Sequence, residues 1–415
     1  MYKTHVLQNG LTIIGEEIPY LKSISLGLWV NAGSRLENEE NNGVSHFIEH
    51  MLFKGTKNRT SKDIASEIDN LGGQINAFTS KECTCYYVKL LNSHIDTGID
   101  IISDMVLNPL FNESDIDKER SVILEELKMY EDSPEDLAYD LLTEGIYKDN
   151  SLGMNIVGTI ESLQRLNKKS MLDYYNKYYI PKNSVISISG NFDFEEIVQK
   201  LETKFKNWQG DKVDVDIEVN TANFKSCFIT KNKDTEQVNL AISLEAIPVE
   251  NTEEVYALAI INTVFGGSIS SRLFQKIREE QGLVYSIYSS QSLYRKCGEF
   301  GIFASMSNEN LEDVYESIID EIKYLRENYL TEKEIKESKE QLKGSYILGL
   351  EGTSSRMMSI GKAMLLNKNV KTTDEILKHI DDVDKETINK VIDKIFNIDK
   401  MGICIVGRDV ENISL

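Results

Sequence analysis

An internal repeat constrains the fold most: the order of strand and helix patterns in the first half of the chain recurs in the second. In the first half, a strand pattern at 23–30 precedes helically spaced apolar residues at 44–52, strand patterns at 74–79 and 83–91, two long helical patterns and a strand pattern at 184–190. Equivalent patterns follow in the same order at 238–244, 255–265, 283–293, 298–306, 310–328, 331–348 and 401–407. Self-similarity of this kind predicts two copies of one α+β unit, of about 200 residues each.

The repeat and the length together predict the domain organisation. A chain of 415 residues is too long for one ordinary hydrophobic core. We predict an α+β protein with two homologous, α/β-sandwich-like domains, each a mostly antiparallel sheet with helices packed on it. The first domain covers 1–209 and the second 223–415, and the polar, extended stretch 210–222 is typical of a linker.

Composition narrows the classes of partner and compartment. The formal net charge of −21 argues against a nucleic-acid partner, which requires basic patches for the phosphates. Basic peptides are compatible with this charge, as is the simpler interpretation that the carboxylates keep the protein soluble. No run approaches about 18 apolar residues, the N-terminal stretch lacks a signal-peptide pattern, and the five cysteines are scattered. These features predict a cytoplasmic protein without a membrane span.

Two of the five histidines lie within one short, mostly apolar helical segment. His46, Glu49 and His50 form the pattern H-x-x-E-H, in which residues three and four apart share one face of the helix. Two such imidazoles can bind a zinc ion, and the glutamate can act as general base. The alternative is a polar helix face that binds no metal. The second repeat has Tyr256 and apolar residues at this point, so a metal would bind only the first half.

A catalytic zinc site also needs a third protein ligand and one open position. The best candidates lie in the segment 119–126, where Glu119 and Glu126 are seven residues apart and therefore fall on one helix face. Glu125 is rotated away from that face, although spacing alone favours Glu126 over Glu125 only weakly. The alternative is that these are solvated carboxylates in an acidic stretch.

Four segments resemble the inverzincin zinc peptidases, the family of pitrilysin, insulin-degrading enzyme and the mitochondrial processing peptidase. They are GVSHFIEHMLFKGT (43–56), GQINAFTS (73–80), ERSVILEE (119–126) and SRLFQKIREEQGLVY (271–285). The resemblance covers nearly the whole chain and is to short bacterial members of the processing-peptidase type. It implies that His46, His50 and Glu126 bind one zinc ion per chain. It implies further that Glu49 is the general base and Glu119 a nearby supporting carboxylate.

The resemblance also implies a peptide-hydrolysing mechanism. Zinc would polarise the scissile carbonyl and lower the pKa of its bound water, while Glu49 takes the water proton. Tyr285 and Arg278 match the family's C-terminal pair, and would stabilise the developing oxyanion and hold a substrate carbonyl. By sequence alone they could equally be a strand aromatic and a surface arginine. An exposed edge strand would pair with an extended substrate through main-chain hydrogen bonds. Its residues are Asn76, Ala77, Phe78 and Thr79.

Long members of the family contain four such units, in a clamshell of two halves around an enclosed chamber, whereas this chain has two. The resemblance therefore implies half of a clamshell and a homodimer, or a pair with a related chain. In such a dimer Arg278 and Tyr285 would serve the zinc of the partner subunit. The long glycine-rich loop of the processing peptidase's noncatalytic subunit has no counterpart here, so its presequence specificity does not carry over. Manganese or cobalt would fit the same ligands as zinc.

Two other functions stay open. A non-catalytic scaffold of the same fold, similar to core subunits of respiratory complexes, would be expected to have lost the ligands, and this sequence retains them. A zinc enzyme that acts on bonds other than peptide bonds would have no use for an edge strand that binds peptides.

Overall fold

Two mixed sheets with helices packed on them form the framework of the protein in this computed structural model. The structure describes residues 2–210, 219–250, 252–411 and 413. Most of the predicted linker 210–222 lies outside the described residues, because these omit 211–218. The predicted α+β class, with two mostly antiparallel, helix-covered sheets, is confirmed.

The first sheet is built from the N-terminal half of the chain. Its strands are β1 (Lys3–Val6), β2 (Thr12–Glu17), β3 (Ser23–Val30), β4 (Gln74–Thr79), β5 (Thr84–Leu91) and β6 (Ser184–Gly190). They lie in the spatial order β1-β2-β6-β3-β5-β4, with β2 and β6 parallel and all other neighbours antiparallel. β4 is therefore an edge strand, paired among the described residues with β5 alone.

Within the described residues, the second sheet repeats this topology without a counterpart of β1. Its strands are β7 (Cys227–Asn232), β8 (Val238–Ala246), β9 (Val284–Tyr294), β10 (Cys297–Met306) and β11 (Met401–Gly407). The spatial order is β7-β11-β8-β10-β9, with β7 and β11 parallel and the other neighbours antiparallel. Strand by strand this matches β2-β6-β3-β5-β4, so the predicted repeat is present in the fold.

Helices follow the strands in both halves. The described residues form α1 (Val44–Leu52), α2 (Ser61–Asp69), α3 (Ile95–Leu107), α4 (Glu113–Asp132), α5 (Pro134–Ile146), α6 (Ile160–Arg165), α7 (Lys168–Tyr178), α8 (Phe194–Phe205), α9 (Thr252–Phe265), α10 (Leu311–Asn328), α11 (Glu332–Gly349), α12 (Thr353–Asn367), α13 (Thr373–Asp382) and α14 (Lys385–Ile395), with a π-helix at Phe274–Glu280. In this described part of the chain, no helix is both long and apolar enough to cross a bilayer. The predicted cytoplasmic location stays a prediction.

Each sheet is covered on one face by a helix from the other half of the sequence. α12 lies on β2, β3 and β6, where Met357 and Ile360 pack around Trp29. α5 lies on β7, β8 and β11, where Ala138 and Leu142 join a buried apolar cluster of the second sheet. The two helices are thus exchanged between the repeats. Each packs its apolar face on the sheet of the other repeat, and this burial of apolar area stabilises the contact.

The compact units of the structure follow this exchange. The first consists of Met1–Leu127, Met154–Glu218 and Leu348–Thr372, and the second of Lys128–Gly153, Val219–Ile347 and Thr373–Leu415. They differ from the contiguous boundaries expected from sequence, 1–209 and 223–415, in the two segments that carry α5 and α12. The physical reason is that a helical pattern shows an apolar face but does not show which sheet that face covers.

The contact between α12 and the first sheet gives a stability prediction at Gly361. A Cβ atom at Gly361 would lie 2.5 Å from Ser187 Oγ and would also overlap the Trp29 indole. Trp29 Nε1 donates a buried hydrogen bond of 2.8 Å to Ser187 Oγ, so the clash has little room to relax. We expect Gly361→Ala to lower the free energy of unfolding by about 1–3 kcal/mol through overpacking.

Gly344→Ala is the matched control for this prediction, because Gly344 also lies within a helix, α11, and a Cβ there meets nothing within 4 Å. Alanine at that position should be neutral or stabilising by up to about 1 kcal/mol. The measurement is the urea midpoint of both variants beside the wild type. Equal midpoints for Gly361→Ala and the wild type would show that α12 is not packed against Trp29 as described.

Candidate metal centre

α1 carries the H-x-x-E-H motif and is anchored at both its apolar face and its N-terminus. Val44, Phe47 and Ile48 are fully buried in the first unit. The Glu37 carboxylate accepts hydrogen bonds from the backbone N–H groups of Gly43 and Ser45 at 2.7 and 2.8 Å. It therefore satisfies amide groups that the first turn leaves without helical partners. The motif consequently lies on a helix with a fixed start and a fixed rotation.

The structure brings His46, His50 and Glu126 together. His46 Nε2 lies 3.7 Å from Glu126 Oε1, and His50 Nε2 lies 3.6 Å from Glu126 Oε2. One candidate ligand atom from each of the three residues lies within 4.8 Å of the others. Glu126 projects from α4, and its neighbour Glu125 is exposed instead. Of the two glutamates that spacing separated only weakly, it is therefore Glu126, and not Glu125, that lies in the cluster.

The spacing of these atoms fits a metal ion. In a tetrahedral zinc site with bonds of about 2.0–2.1 Å, neighbouring ligand atoms lie roughly 3.3–3.4 Å apart. The separations of 3.7 and 3.6 Å are close to that edge, and they are longer than direct N–H···O hydrogen bonds of about 2.7–3.2 Å. Two imidazole nitrogens and one carboxylate oxygen are also donor types that zinc accepts. The residues therefore fit the ion that the sequence predicts.

Glu119 lies behind the cluster rather than in it. One carboxylate oxygen, Oε2, is 3.1 Å from His50 Nδ1, and the other, Oε1, is 2.5 Å from Lys54 Nζ. A carboxylate that accepts a hydrogen bond from Nδ1–H leaves Nε2 free for a metal and fixes the orientation of the ring. Glu119 is 5% exposed, so these two partners replace the water that its buried carboxylate would otherwise contact. This position behind His50 is the geometry expected of the supporting carboxylate that Glu119 was predicted to be.

Glu49 lies on the same helix as the two histidines, and its carboxylate is held by the sheet. Thr79 Oγ1, at the end of β4, donates a hydrogen bond of 2.5 Å to Glu49 Oε2. Burial raises the pKa of Glu49, while the hydrogen bond from Thr79 opposes this rise. A carboxylate with a raised pKa suits a general base that works near neutral pH.

His46 is in the protonation state that a metal ligand needs. Burial lowers the pKa of His46 to about 3, with a smaller contribution from the neighbouring His50. The two rings lie edge to face with centroids 4.6 Å apart. The imidazole of His46 is therefore neutral near pH 7, and neutral imidazole is the form that binds a metal.

The four residues expected to bind substrate lie on β4, at the edge of the first sheet. Asn76 accepts a hydrogen bond from the Ala77 backbone N–H through its own side chain, at 2.8 Å. Phe78 packs edge to face on Trp29, with centroids 5.6 Å apart. Thr79 points the other way, towards α1. The strand thus ends beside the motif helix.

Arg278 and Tyr285 belong to the second unit. Arg278 lies in the π-helix Phe274–Glu280, where its guanidinium is 4.6 Å from the centroid of the Phe274 ring. Tyr285 lies near the start of β9 and is 73% exposed. β9 is one of the two edge strands of the second sheet, as the structure describes it. Both side chains are accessible enough to meet another molecule.

Sequence reasoning missed three residues around the motif: Glu37, Lys54 and the hydroxyl role of Thr79. Lys54 follows His50 at a spacing of four, so helical periodicity could have placed it near the same face. Glu37 lies six residues before the N-cap residue Gly43, a spacing that no capping pattern covers, so its contact with α1 depends on how the intervening loop folds. No pattern along the chain connects Thr79 with Glu49, because that contact depends on how α1 packs on β4.

With its repeated α+β units and its His–His–Glu cluster, this protein belongs to a class of two-unit proteins that have a candidate metal centre in the first unit. The family model described as "Insulinase (Peptidase family M16)" matches residues 12–160, which contain the cluster. The model described as "Peptidase M16 inactive domain" matches residues 165–342. The chain belongs to peptidase family M16, which confirms the resemblance found in the sequence.

Relatives are similar along almost their whole length. An uncharacterized zinc protease of Bacillus subtilis, YmxG, is 40% identical over 399 residues, which cover 96% of this chain and 97% of the relative. An uncharacterized zinc protease of Rickettsia felis is 37% identical over 399 residues, 94% of each chain. The family and these names support a zinc-peptidase-like function for this chain.

Solved structures share the fold. A protease from Helicobacter pylori has a TM-score of 0.91 at 19% identity and covers 98% of this chain and 99% of its own. A peptidase M16 inactive-domain protein from Pseudomonas fluorescens has a TM-score of 0.90, also at 19% identity, with both chains covered completely. At this level of identity the similarity concerns the fold alone.

Proposed function

We propose that the protein is a zinc metalloendopeptidase that cleaves peptides or unfolded segments bound as an extended strand in an enclosed chamber. The convergence of His46, His50 and Glu126 on one point, with Glu49 beside them, is the observation that carries the proposal. The edge strand β4 ends at the same place. Family membership supports peptides as the substrate class.

In this mechanism His46, His50 and Glu126 hold the metal, and Glu119 orients His50. Zinc, when bound, supplies a Lewis acid that polarises the scissile carbonyl and makes a nearby water more acidic. Glu49 takes the proton of the attacking water and delivers it to the leaving amine. The buried surroundings that raise the pKa of Glu49 make its carboxylate a stronger base for the first of these two transfers.

Substrate would pair with the open edge of β4. Asn76, Ala77 and Phe78 provide an edge strand on which an extended peptide can pair as one more strand of the sheet. Main-chain pairing of this kind depends little on the side chains of the substrate. A broad sequence preference is therefore expected, limited by whether the peptide can adopt an extended conformation.

The acidity of the chain supports a preference for basic peptides, since the formal net charge is −21. Opposite charges raise the rate of encounter at low ionic strength and lose this effect as salt screens them. Equal cleavage of acidic and basic peptides of matched length at low salt would contradict this preference.

We further propose a homodimer in which Arg278 and Tyr285 act on the zinc site of the partner subunit. Tyr285 would donate a hydrogen bond to the developing oxyanion, and Arg278 would hold a substrate carbonyl. The large exposed fraction of Tyr285 supports a role towards another molecule. A related chain in place of a second copy would serve the same purpose.

Mixing a Glu49→Gln chain with a Tyr285→Phe chain tests this arrangement. If the site is completed in trans, each mixed dimer contains one intact site. Random pairing of equal amounts then restores roughly a quarter of wild-type turnover, above either parent alone. No recovery in mixtures that are shown by mass to contain mixed dimers would exclude completion in trans.

The principal alternative is a non-catalytic scaffold of the same fold. A mass-spectrometric cleavage map on a mixed peptide pool, with the oligomer mass measured on the same sample, separates the two. The peptidase proposal predicts internal cleavages that require bound zinc. A zinc-loaded protein that leaves all peptides intact would favour the scaffold, or a zinc enzyme with a different kind of substrate.

A further inference from the structure

The proposed general base and the proposed substrate strand meet at one hydroxyl group. Thr79 is the last residue of β4, and its Oγ1 donates to Glu49 Oε2 at 2.5 Å. Glu49 is on α1, so this bond joins the motif helix to the edge of the sheet. It is a side-chain contact that no backbone pattern would produce by itself.

The surroundings of Thr79 direct its single hydroxyl hydrogen to Glu49. Thr84 lies opposite Thr79 in the β4–β5 ladder, and their Oγ1 atoms are 3.5 Å apart. Thr84 is fully buried and donates its own hydrogen to the Ala32 carbonyl oxygen at 2.9 Å. The Glu49 carboxylate is both nearer to Thr79 and the stronger acceptor, because hydrogen bonds to a charged group are the stronger ones.

The bond divides the two oxygens of the carboxylate between two tasks. Oε2 already accepts a hydrogen bond from Thr79, which makes Oε1 the more available oxygen for the water proton. A carboxylate with one fixed oxygen is held in a single rotamer, which a general base needs because proton transfer requires hydrogen-bond geometry. The fixed point belongs to β4, the strand proposed to bind substrate.

We propose that Thr79 is a positioning residue that sets the Glu49 carboxylate in register with a peptide paired on β4. The inference rests on the proposed peptidase function. A peptide that extends the sheet is placed relative to β4, and Thr79 places the base relative to the same strand. The scissile bond and the Glu49 carboxylate are thereby both positioned by β4, so a shift of β4 moves both together.

The test is steady-state kinetics on one internally cleaved peptide with Thr79→Val, which keeps the shape and removes the hydroxyl, and Thr79→Ser, which retains it. We expect kcat of Thr79→Val to fall by about 10- to 100-fold, since a hydrogen bond to a charged group is lost. KM should stay within about 3-fold and zinc content should not change, because neither strand pairing nor a metal ligand is altered. Thr79→Ser should restore kcat to within about 3-fold of wild type.

Two controls accompany these variants. Thr203→Val makes the same chemical change at an exposed position on α8, where the hydroxyl donates to the Gln199 carbonyl of its own helix, and should leave kcat unchanged. Adding Thr79→Val to Glu49→Gln should not lower the residual rate further, because Thr79 acts through Glu49.

The outcomes separate the inference from the function on which it rests. Wild-type kcat in Thr79→Val, an equal loss in Thr79→Ser, or a loss confined to KM would each overturn the positioning role. A zinc-loaded wild type without turnover would instead overturn the peptidase proposal itself, and an active Glu49→Gln variant would overturn the assignment of Glu49 as the base. A loss of zinc in Thr79→Val would show a structural effect on the cluster and would also overturn the positioning role.

Discussion

Glu49→Gln is expected to lower peptide turnover by about 10²- to 10⁴-fold while zinc content stays at the wild-type level. Glutamine keeps the size of the side chain and can still accept from Thr79 through its carbonyl oxygen, but it cannot take a proton from water. The substitution leaves His46, His50 and Glu126 in place, so binding of the metal should be unaffected. The measurement is kcat/KM on a defined peptide together with zinc per chain.

Glu125→Gln is the matched control for Glu49→Gln, because it removes one carboxylate from α4, next to the cluster, at an exposed position. Its turnover should equal that of the wild type. Comparable turnover in Glu49→Gln and the wild type would contradict the assignment of the base. A loss of zinc together with activity would show that Glu49 contributes to the metal site instead.

Removing a ligand of the cluster is expected to abolish both zinc binding and turnover. Glu126→Gln and His50→Ala each leave two of the three side chains that converge in the structure. Loss of supporting residues around metal sites costs about 10- to 100-fold in affinity, and we expect the loss of a ligand to cost more than about 100-fold. Zinc affinity is measured by competition with a chelator of known affinity.

Chelation of the wild type supplies the reversible form of this experiment. Turnover should disappear on removal of zinc and return when zinc is restored, whereas Glu126→Gln should not recover at the same zinc concentration. Glu125→Gln again serves as control and should bind zinc like the wild type. Equal zinc affinity in Glu126→Gln and Glu125→Gln would show that Glu126 is not a ligand.

The elements of the fold could be predicted where the local pattern decides them. Predicted strands at 74–79 and 184–190 match β4 and β6 to the residue. Alternation and helical periodicity carry this information within a few residues of sequence. The repeat could be predicted for the same reason, because it is a repeat of local patterns.

The exchange of α5 and α12 could not be predicted in this way. Pro134 at the first helical position and Ser133 as its cap indicate where α5 begins. Their pattern contains no information on whether Leu142 packs on the first or the second sheet. That choice depends on contacts between elements far apart in the sequence, such as those of α5 with β8 and β11.

The metal cluster could be predicted more completely than its surroundings. Helical spacing aligns His46 with His50, whereas it favours Glu126 over Glu125 only weakly, and the resemblance to the family implied Glu126 as the third ligand. Thr79 acts through a hydrogen bond of 2.5 Å from β4 to Glu49 on α1. Such contacts depend on the packing of helix on sheet and helix on helix, which periodicity does not contain.

Zinc titration of metal-free protein, followed by mass spectrometry of a peptide pool at each step, tests the central proposal most directly. The account predicts internal peptide cleavage that rises in proportion to bound zinc and reaches its limit at one zinc per chain. Cleavage that is independent of zinc, or a chain that holds one zinc and leaves every peptide intact, would contradict it.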